Sequence, residues 1–559
     1  MKYFKLIIFP LLCVVSMSCT GDFDDINENK SAFTADEVSA KFFLTSSQVS
    51  LYAPGRTAYW RAHLIHSDRF AGHATFGHNA SWWGDNICYD YNSSFSDATY
   101  NWLSGRYGNI KAFGDYTTVG GEFENEYMYA ISIIMKSLFF QMYTDVYGMV
   151  PFSEAGVDGI LTPKYDSQMD VYKGIIADLD AAMATIGDTE KTGLGVDDVG
   201  ENDIYCGGDL QQWKRLANTL KLRIGMRALG AVGENFATAT INSALSAPLL
   251  DDSNGSVTMI KDLVISEWQS ASYGDIWHDF GTTGSANWTI GATLINYLQN
   301  NDDPRLSVYA TPAVGGTFVY THDDSDSEYQ QRLSFIITSL EDASASYTSV
   351  VTDTTTVITV DPGQYIGQPT RINQYTQTFV KYNMFSTPGE RITQERGTQV
   401  DSYPEIILTS AESYYLQAEA VLRGISNGDA QALFQTGIRE AMNLWEISNA
   451  ETNIYIANQE LADISDGTLD EKLEKIAIQR WIAGYTDGFE AWAVVRDTGY
   501  PSELAAGVSN YVIFAPGNLD GDYPQRLRYG SKAQANPNYS DAISQQGADM
   551  QGTKLWYAK

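Results

Sequence analysis

The sequence lacks an apolar stretch long enough to cross a bilayer. Its most apolar segment, residues 6–15, covers about ten residues and contains Pro10, whereas a membrane-spanning helix needs about 20 apolar residues. Basic residues are also scarce, because 36 Lys and Arg face 69 Asp and Glu and leave a net charge of −33. Such a chain repels phosphate groups, which argues against nucleic acid as a partner and against membrane attachment through charge.

Cysteine is rare as well, with four in 559 residues. Cys19 follows two lysines, the apolar segment and a short run of small residues, and acidic residues come shortly after it. This arrangement predicts a bacterial lipoprotein whose signal peptide, residues 1–18, is removed before Cys19 is acylated. Residues 19–30 then form an acidic tether that holds the binding domain, residues 31–559, to a membrane. The alternative is an ordinary secretory signal with an incidental cysteine.

The other three cysteines carry no lipid in this interpretation. Cys13 follows two bulky leucines, which disfavour cleavage there. Cys88 and Cys206 either form a disulfide, as exported cysteines often do, or remain free thiols. Sequence alone does not show that the two residues meet, so both alternatives stay open.

Histidine is the third scarce residue, with six in the chain. His63, His66, His73 and His78 lie close together, and Asp68 stands among them. The first two would share one face of a helix, so a metal site is one interpretation. Histidines with satisfied polar contacts near a surface cleft are the preferred one.

The sequence contains no H-E-x-x-H, Walker or dinucleotide-binding motif. Residues 424–428 fit the nucleophile pattern G-x-S-x-G, but that pattern requires a preceding strand. A helix precedes it here, so the first glycine is predicted to end that helix. Asn518, Asp520 and Asp522 alternate like calcium ligands, although Tyr523 stands where a calcium loop needs glycine. We therefore predict no enzyme and no cofactor; a structural calcium ion and a paired-carboxylate glycosidase stay open.

Helical periodicity dominates the chain. Residues 127–140 are apolar on all sides, which predicts a buried helix. Capping residues predict helices that begin after Ser167, Thr409 and Thr468, and an apolar stripe starting at Trp213 predicts another. These helix–turn–helix units are typical of tetratricopeptide-like hairpins.

The remainder of the chain has a different character. Between roughly residues 311 and 403 β-branched residues and Gly, Ser, Thr and Asp are frequent, which predicts loops and a few short strands. From residue 501 onward, Gly, Pro, Asn and Tyr predict irregular structure around the helical body. The predicted fold is therefore mainly α, with tetratricopeptide-like helical hairpins, a loop-rich remainder and a few short β-strands.

Several stretches spread along the chain carry a resemblance. They are DVYGMVPFSEA (145–155), PKYDSQ (163–168), WKRLANTLKLR (213–223), AESYYLQAEA (411–420), GFEAW (488–492), RDTGYP (496–501) and YPQRLRY (523–529). In this order they resemble the SusD/RagB family of outer-membrane nutrient-binding lipoproteins of Bacteroidetes, in its SusD-like branch. Each stretch is weak alone, but their shared order over most of the mature chain makes the set specific.

The resemblance implies a lipoprotein on the outer face of the outer membrane. It implies a SusC-like TonB-dependent barrel as the partner, over which the protein sits as a lid. The implied task is capture of glycans, or of oligopeptides in some members, and their delivery to the barrel. The stretches quoted are expected to be mainly architectural, with Arg496 and Glu490 paired in the core.

The resemblance also places a ligand site near an early loop, which matches residues 66–102 here. Trp82 and Trp83 are adjacent and cannot both face one helical core stripe, so at least one is expected to be exposed, where its ring could stack on a sugar. The predicted ligand-binding residues are Arg69, His78, Asn79, Trp82, Trp83, Asp85, Asn86 and Tyr89. The alternative for this region is a core aromatic cluster beneath a loop.

Two other classes of function stay open at this point. One is a surface glycosidase or protease, because 69 acidic residues offer many carboxylate pairs. The other is a scaffold or adhesin that binds protein and no nutrient.

Overall fold

The computed structural model describes residues 38–52, 60–76, 89, 91–259, 288–393 and 405–558. The predicted signal peptide, Cys19 and the tether lie outside these residues. Within them, no helix is both long enough and apolar enough to cross a membrane.

The helical prediction is confirmed. The helices of eight or more residues are α1 (Lys41–Tyr52), a π-helix (Trp60–Ser67), α2 (Ser93–Gly105), α3 (Tyr107–Thr117), α4 (Glu126–Tyr147), α5 (Gln168–Ile186), α6 (Leu210–Ala228), α7 (Ala237–Leu245), α8 (Ala292–Asn300), α9 (Tyr329–Asp342), α10 (Ser410–Leu422), α11 (Ala430–Leu444), α12 (Asn449–Asn458), α13 (Leu469–Ala483), α14 (Gly488–Thr498) and α15 (Tyr539–Gln546). Shorter α-helices are Asp68–Phe70, Leu306–Tyr309, Gln374–Gln377, Glu390–Thr393, Ser502–Ala505 and Ser531–Gln534.

The ends of these helices follow local chemistry. The Asn125 side chain accepts hydrogen bonds from two backbone N–H groups at the start of α4. The helix ends where Gly148 takes a positive φ of 83°, a conformation that favours glycine. Thr468 and Glu471 form the complete capping box predicted for α13. Gly424, with a φ of 69°, follows α10 as predicted.

The long helices pack in sequential pairs, as tetratricopeptide-like hairpins do. The pairs are α3 with α4, α4 with α5, α6 with α7, α10 with α11 and α13 with α14. Close approach in the α10–α11 pair depends on Gly437, since a Cβ there would lie 2.6 Å from the Tyr415 ring. Most of α4 is buried, including Ile131, Ile134 and Leu138, which confirms its central place.

The strands are short and lie mainly in the second half. They are β1 (Ala74–Phe76), β2 (Val257–Met259), β3 (Trp288–Ile290), β4 (Ala310–Thr311), β5 (Gly316–Thr321), β6 (Tyr347–Val351), β7 (Thr355–Val360), β8 (Thr387–Pro388) and β9 (Glu405–Leu408). All pairings between them are antiparallel: β1 with β3, β2 with β9, β4 with β8, and a three-stranded sheet in the order β5-β7-β6.

The region between residues 311 and 403 also contains a helix that the sequence analysis missed. Helix α9 presents Leu333, Ile336 and Leu340 on one face, at the spacing of an amphipathic helix. They pack in one cluster with Ile358 and Val360 of β7. This stripe lies in sequence between β-branched segments, and their composition predicts strands and loops for the whole region.

A buried ion network joins five helices. Arg223 and Arg227 of α6 and Arg480 of α13 supply the positive charges. The carboxylates are Asp145 of α4, Glu412 and Glu419 of α10, and Glu490 of α14. All seven side chains are no more than 11% exposed. Because each helix contributes a charge that only the others neutralise, their mutual positions are fixed.

Glu490 lies at the centre of this network. It contacts Arg223 at 3.6 Å and Arg480 at 3.7 Å and also pairs with Arg227. Burial raises the pKa of Glu490, but the three guanidinium groups outweigh it and bring the pKa down to about 2. The expected pairing of Glu490 with Arg496 is wrong. Arg496 instead donates to backbone carbonyls, including that of Asp145 at 2.6 Å, because it lies on another face of α14.

Replacing Glu490 with Gln should strongly destabilise the fold. The change leaves three buried arginines short of one negative charge, and losing one partner of a buried ion pair costs about 3–5 kcal/mol. Thermal and urea unfolding would measure the loss. Lys191→Gln, which breaks the exposed pair with Asp198, is the control and should leave the melting temperature unchanged. Equal stability of the two variants would contradict the assigned role of the network.

A buried carboxyl, Asp68, should make stability depend on pH. Its side chain packs against Gly488, and burial together with nearby Asp487 and Glu405 raises its pKa to about 8. A carboxyl with a raised native pKa holds a proton that the unfolded chain has released. The contribution of Asp68 to stability should therefore fall between about pH 4 and pH 8, by up to about 1.4 kcal/mol per pH unit.

Asp68→Asn removes this ionisation and should therefore remove its contribution to the pH dependence of stability. Melting temperatures of both proteins, measured from pH 5 to pH 9, would show it. The variant should be the more stable protein at pH 9, and parallel curves would refute the assignment.

Candidate functional site

Two of the eight predicted ligand-binding residues, Arg69 and Tyr89, are described by the structure. The other six, His78, Asn79, Trp82, Trp83, Asp85 and Asn86, lie outside the described residues. The structure therefore shows how the chain is held on both sides of residues 77–88. We call the residues that do this the site frame: Arg69, Phe70, β1, Tyr89 and Arg371.

The chain that enters residues 77–88 is firmly held. Its last described part is β1, which pairs with β3 so that Ala74 lies opposite Ile290. The Trp481 indole N–H donates to the carbonyl of Ala71 at 2.8 Å. The Tyr523 hydroxyl donates to the carbonyl of Phe70 at 2.6 Å. Contacts from α13 and from the C-terminal segment thus fix the helix-to-strand connection.

Tyr89 holds the other side. Its ring lies 5.4 Å from the Arg69 guanidinium and 4.5 Å from that of Arg371, distances at which a cation interacts with the face of an aromatic ring. Phe70 adds a ring contact at 5.5 Å. A Cβ on Gly517 would lie 2.5 Å from the Tyr89 carbonyl oxygen, so the chain there approaches as closely as glycine permits.

Arg371 is a residue that the sequence analysis missed. Its guanidinium donates to the carbonyls of Ala515, Pro516, Gly521 and Asp522 at 2.7–2.9 Å. It therefore folds the segment 515–522 around itself while it supports Tyr89. No periodicity or motif marks an arginine whose partners are backbone carbonyls about 150 positions away, so no sequence signal could have identified it.

Arg69 and Tyr89 contact each other, and both are buried, with 1% and 4% exposed. In this arrangement they support the chain on either side of residues 77–88. Their direct contact with a ligand stays a prediction, as does that of the six residues between them. What the frame provides is a rigid base that holds a tryptophan-containing segment at both ends.

The preferred interpretation of the histidines, polar residues near a surface cleft, is wrong for those described. His63, His66 and His73 are no more than 6% exposed and lie among aromatic rings. Burial lowers the pKa of His66 to about 4 and that of His73 to about 3, so both stay neutral at physiological pH. His78 lies outside the described residues. Across the described ranges, no three His, Cys, Asp or Glu side chains converge on a possible metal position.

The two remaining open alternatives concern calcium and a disulfide. The carbonyl of Asp520 accepts a hydrogen bond from the Tyr511 hydroxyl, and that of Asp522 from Arg371. These contacts give the segment a structural role, and a calcium ion there stays untested. Cys206 is a free, half-buried thiol, and Cys88 lies outside the described residues.

Comparisons with known proteins support this architecture. A SusD-like family model, described as "Starch-binding associating with outer membrane", matches residues 32–342 and 323–529. No curated protein sequence matches the chain.

Solved structures of the same fold cover nearly the whole chain. One is described as a chitin-binding protein, with 23% identity, a TM-score of 0.70, and coverage of 93% of this chain and 100% of that one. A SusD-like protein from Bacteroides thetaiotaomicron VPI-5482 has 21% identity, a TM-score of 0.68, and coverage of 93% and 98%. A chitin-binding SusD homolog from Flavobacterium johnsoniae has 20% identity, a TM-score of 0.68, and coverage of 93% and 98%.

At these identities the structural likeness establishes the fold. The family model extends from the start of the body to the segment that packs beneath Tyr89, and it includes the elements of the site frame. The chain therefore belongs to the SusD-like family.

Proposed function

We propose that this protein is a cell-surface lipoprotein that captures glycans and delivers them to a SusC-like TonB-dependent barrel. The observation that carries the proposal is the match of residues 32–342 and 323–529 to a family model described as starch-binding. Two structural relatives are described as chitin-binding. Capture without turnover is proposed because no sequence motif, and no geometry among the residues that the structure describes, singles out a catalytic group.

The site frame supports a place for the ligand. It holds both ends of a segment that contains Trp82, Trp83, Asn79, Asp85 and Asn86. Indole rings provide flat apolar faces that suit the C–H face of a sugar, and amide and carboxylate groups suit its hydroxyls. Buried contacts already hold the frame, so ligand binding bears no entropy cost for ordering the frame itself.

The anchor and the barrel complete the proposal. Cys19 would carry the lipid, and residues 20–30 would form the tether between it and the binding domain. Several acyl chains bind a membrane durably, because each buried CH₂ contributes about 0.8 kcal/mol. A body fixed to the exterior leaflet in this way stays near a barrel in the same membrane.

Replacing Trp82 and Trp83 with Ala should strongly weaken glycan binding. Loss of an aromatic anchor typically costs about 2 kcal/mol or more, which is about a 30-fold rise in Kd. The Kd would be measured by isothermal titration of the mature protein with maltohexaose and chitohexaose. A tripeptide panel would be titrated in the same way. Tyr375→Ala, which removes an aromatic ring that is 59% exposed elsewhere, is the matched control.

The outcomes separate the alternatives. Unchanged affinity in the double variant would remove these tryptophans from the site. Binding of peptides alone would replace glycans as the ligand, and release of shortened products would favour the enzyme.

Cys19→Ala should release the protein from the membrane, because the substitution removes the side chain that would carry the lipid. Membrane fractionation and protease digestion of intact cells would locate it. Cys13→Ala is the matched control and should leave the protein at the cell surface. A Cys19→Ala protein that stays anchored would refute lipidation at this residue.

A further inference from the structure

An open groove lies between α3, α4 and the segment 152–158, with a volume of about 310 Å³. We call it the helix groove. It shares no residue with the site frame, so a ligand in the helix groove would occupy a second binding site. Its volume is at the lower end of the range for small-molecule sites, which limits an occupant to about one or two sugar units.

Aromatic rings form part of its wall. Tyr107 stacks on Phe139 at 5.5 Å with an interplanar angle of 13°, so its ring is fixed in orientation. Phe152 packs edge-on against Phe140 at 5.0 Å. Tyr129, which is 38% exposed, brings a further ring to the groove from α4.

Two tyrosine hydroxyls in the groove are available for hydrogen bonds to a ligand. Within the described residues, neither the Tyr107 nor the Tyr129 hydroxyl makes a hydrogen bond. Burial together with Asp115 and Asp178 raises the pKa of Tyr107 to about 12, so its hydroxyl stays protonated. Both groups can donate to and accept from a bound molecule.

The charged groups of the groove are two lysines, each paired with a carboxylate, and one further carboxylate, Asp158. Lys111 lies 2.6 Å from one carboxylate oxygen of Asp115, and Lys136 lies 2.9 Å from Asp178. Each pair offers donors and acceptors together and no free charge for an anion. Hydroxyl groups both donate and accept, so the polar part of this surface suits a neutral polyol.

The third wall of the groove is held in place. The backbone N–H and hydroxyl of Ser153 donate to the Asp166 carboxylate at 2.7 and 2.8 Å, and the backbone N–H of Lys164 donates to Glu154 at 2.8 Å. Gly156 lets the aliphatic stem of Lys111 approach, since a Cβ there would lie 2.8 Å from it. The groove is therefore formed before any ligand arrives.

We propose that the helix groove is a second glycan-binding site, in which one or two neutral sugar units stack on Tyr129 and hydrogen-bond to Tyr107, Lys111 and Asp115. The proposal rests on the proposed glycan-binding function and extends it. Two weak sites on one protein would hold a long polysaccharide more tightly than either alone, because the second contact is intramolecular.

The test compares short and long glycans with the mature protein. Titration with maltohexaose and chitohexaose should give a stoichiometry of two for the wild type and one for Tyr129→Ala. Soluble starch and glycol chitin, followed by affinity electrophoresis, should bind Tyr129→Ala at least tenfold more weakly. Tyr107→Phe keeps the stacked ring and the fold and should show a smaller loss. Tyr375→Ala should match the wild type.

The remaining outcomes decide between the two proposals. Wild-type stoichiometry of one, with polymer binding unchanged in Tyr129→Ala, would overturn the second site and leave the proposed function standing. Loss of all binding in the Trp82→Ala/Trp83→Ala variant would also overturn the second site and leave the proposed function standing. Binding that only Tyr129→Ala abolishes would keep the helix groove and remove the tryptophans. No glycan binding by the wild type would overturn both.

Discussion

The fold depends on one buried electrostatic constraint. Arg223 and Arg227 enter the core on α6 and find their counter-charges on α4, α10 and α14. Desolvating such charges is costly unless each is paired, so alternative arrangements of these helices would leave a charge uncompensated. Apolar packing alone is less specific about the position of one helix along another, whereas the ion pairs of the network form in one register. The architecture that carries both proposed sites is therefore specified by charge as well as by hydrophobic contact.

The site frame and the helix groove differ in which parts of the chain form them. The site frame is assembled from distant parts of the chain, with Arg69, Tyr89 and Arg371 brought together by the C-terminal segment. The helix groove arises from neighbouring elements, α3, α4 and the loop that follows them. The groove therefore rests on contacts that are local in sequence, whereas the frame rests on contacts between distant parts of the chain.

Sequence reasoning identified what local chemistry determines. Capping residues such as Thr468 and stripes such as that of α6 predicted the helices, because their signals lie within a few turns. It missed α9, whose stripe is short and lies between β-branched strands. It also missed Arg371, misassigned the partner of Glu490 and placed the buried histidines near a cleft. Those features depend on tertiary neighbours more than a hundred positions away, which no single-sequence pattern encodes.

The Arg371 contacts have a consequence for the order of events during biogenesis. Tyr89 is supported from one side by an arginine that itself needs the carbonyls of residues 515–522. A chain that is synthesised from its N-terminus has most of its length made before these carbonyls arrive. The contacts that support Tyr89 are therefore completed among the last ones that the chain can form.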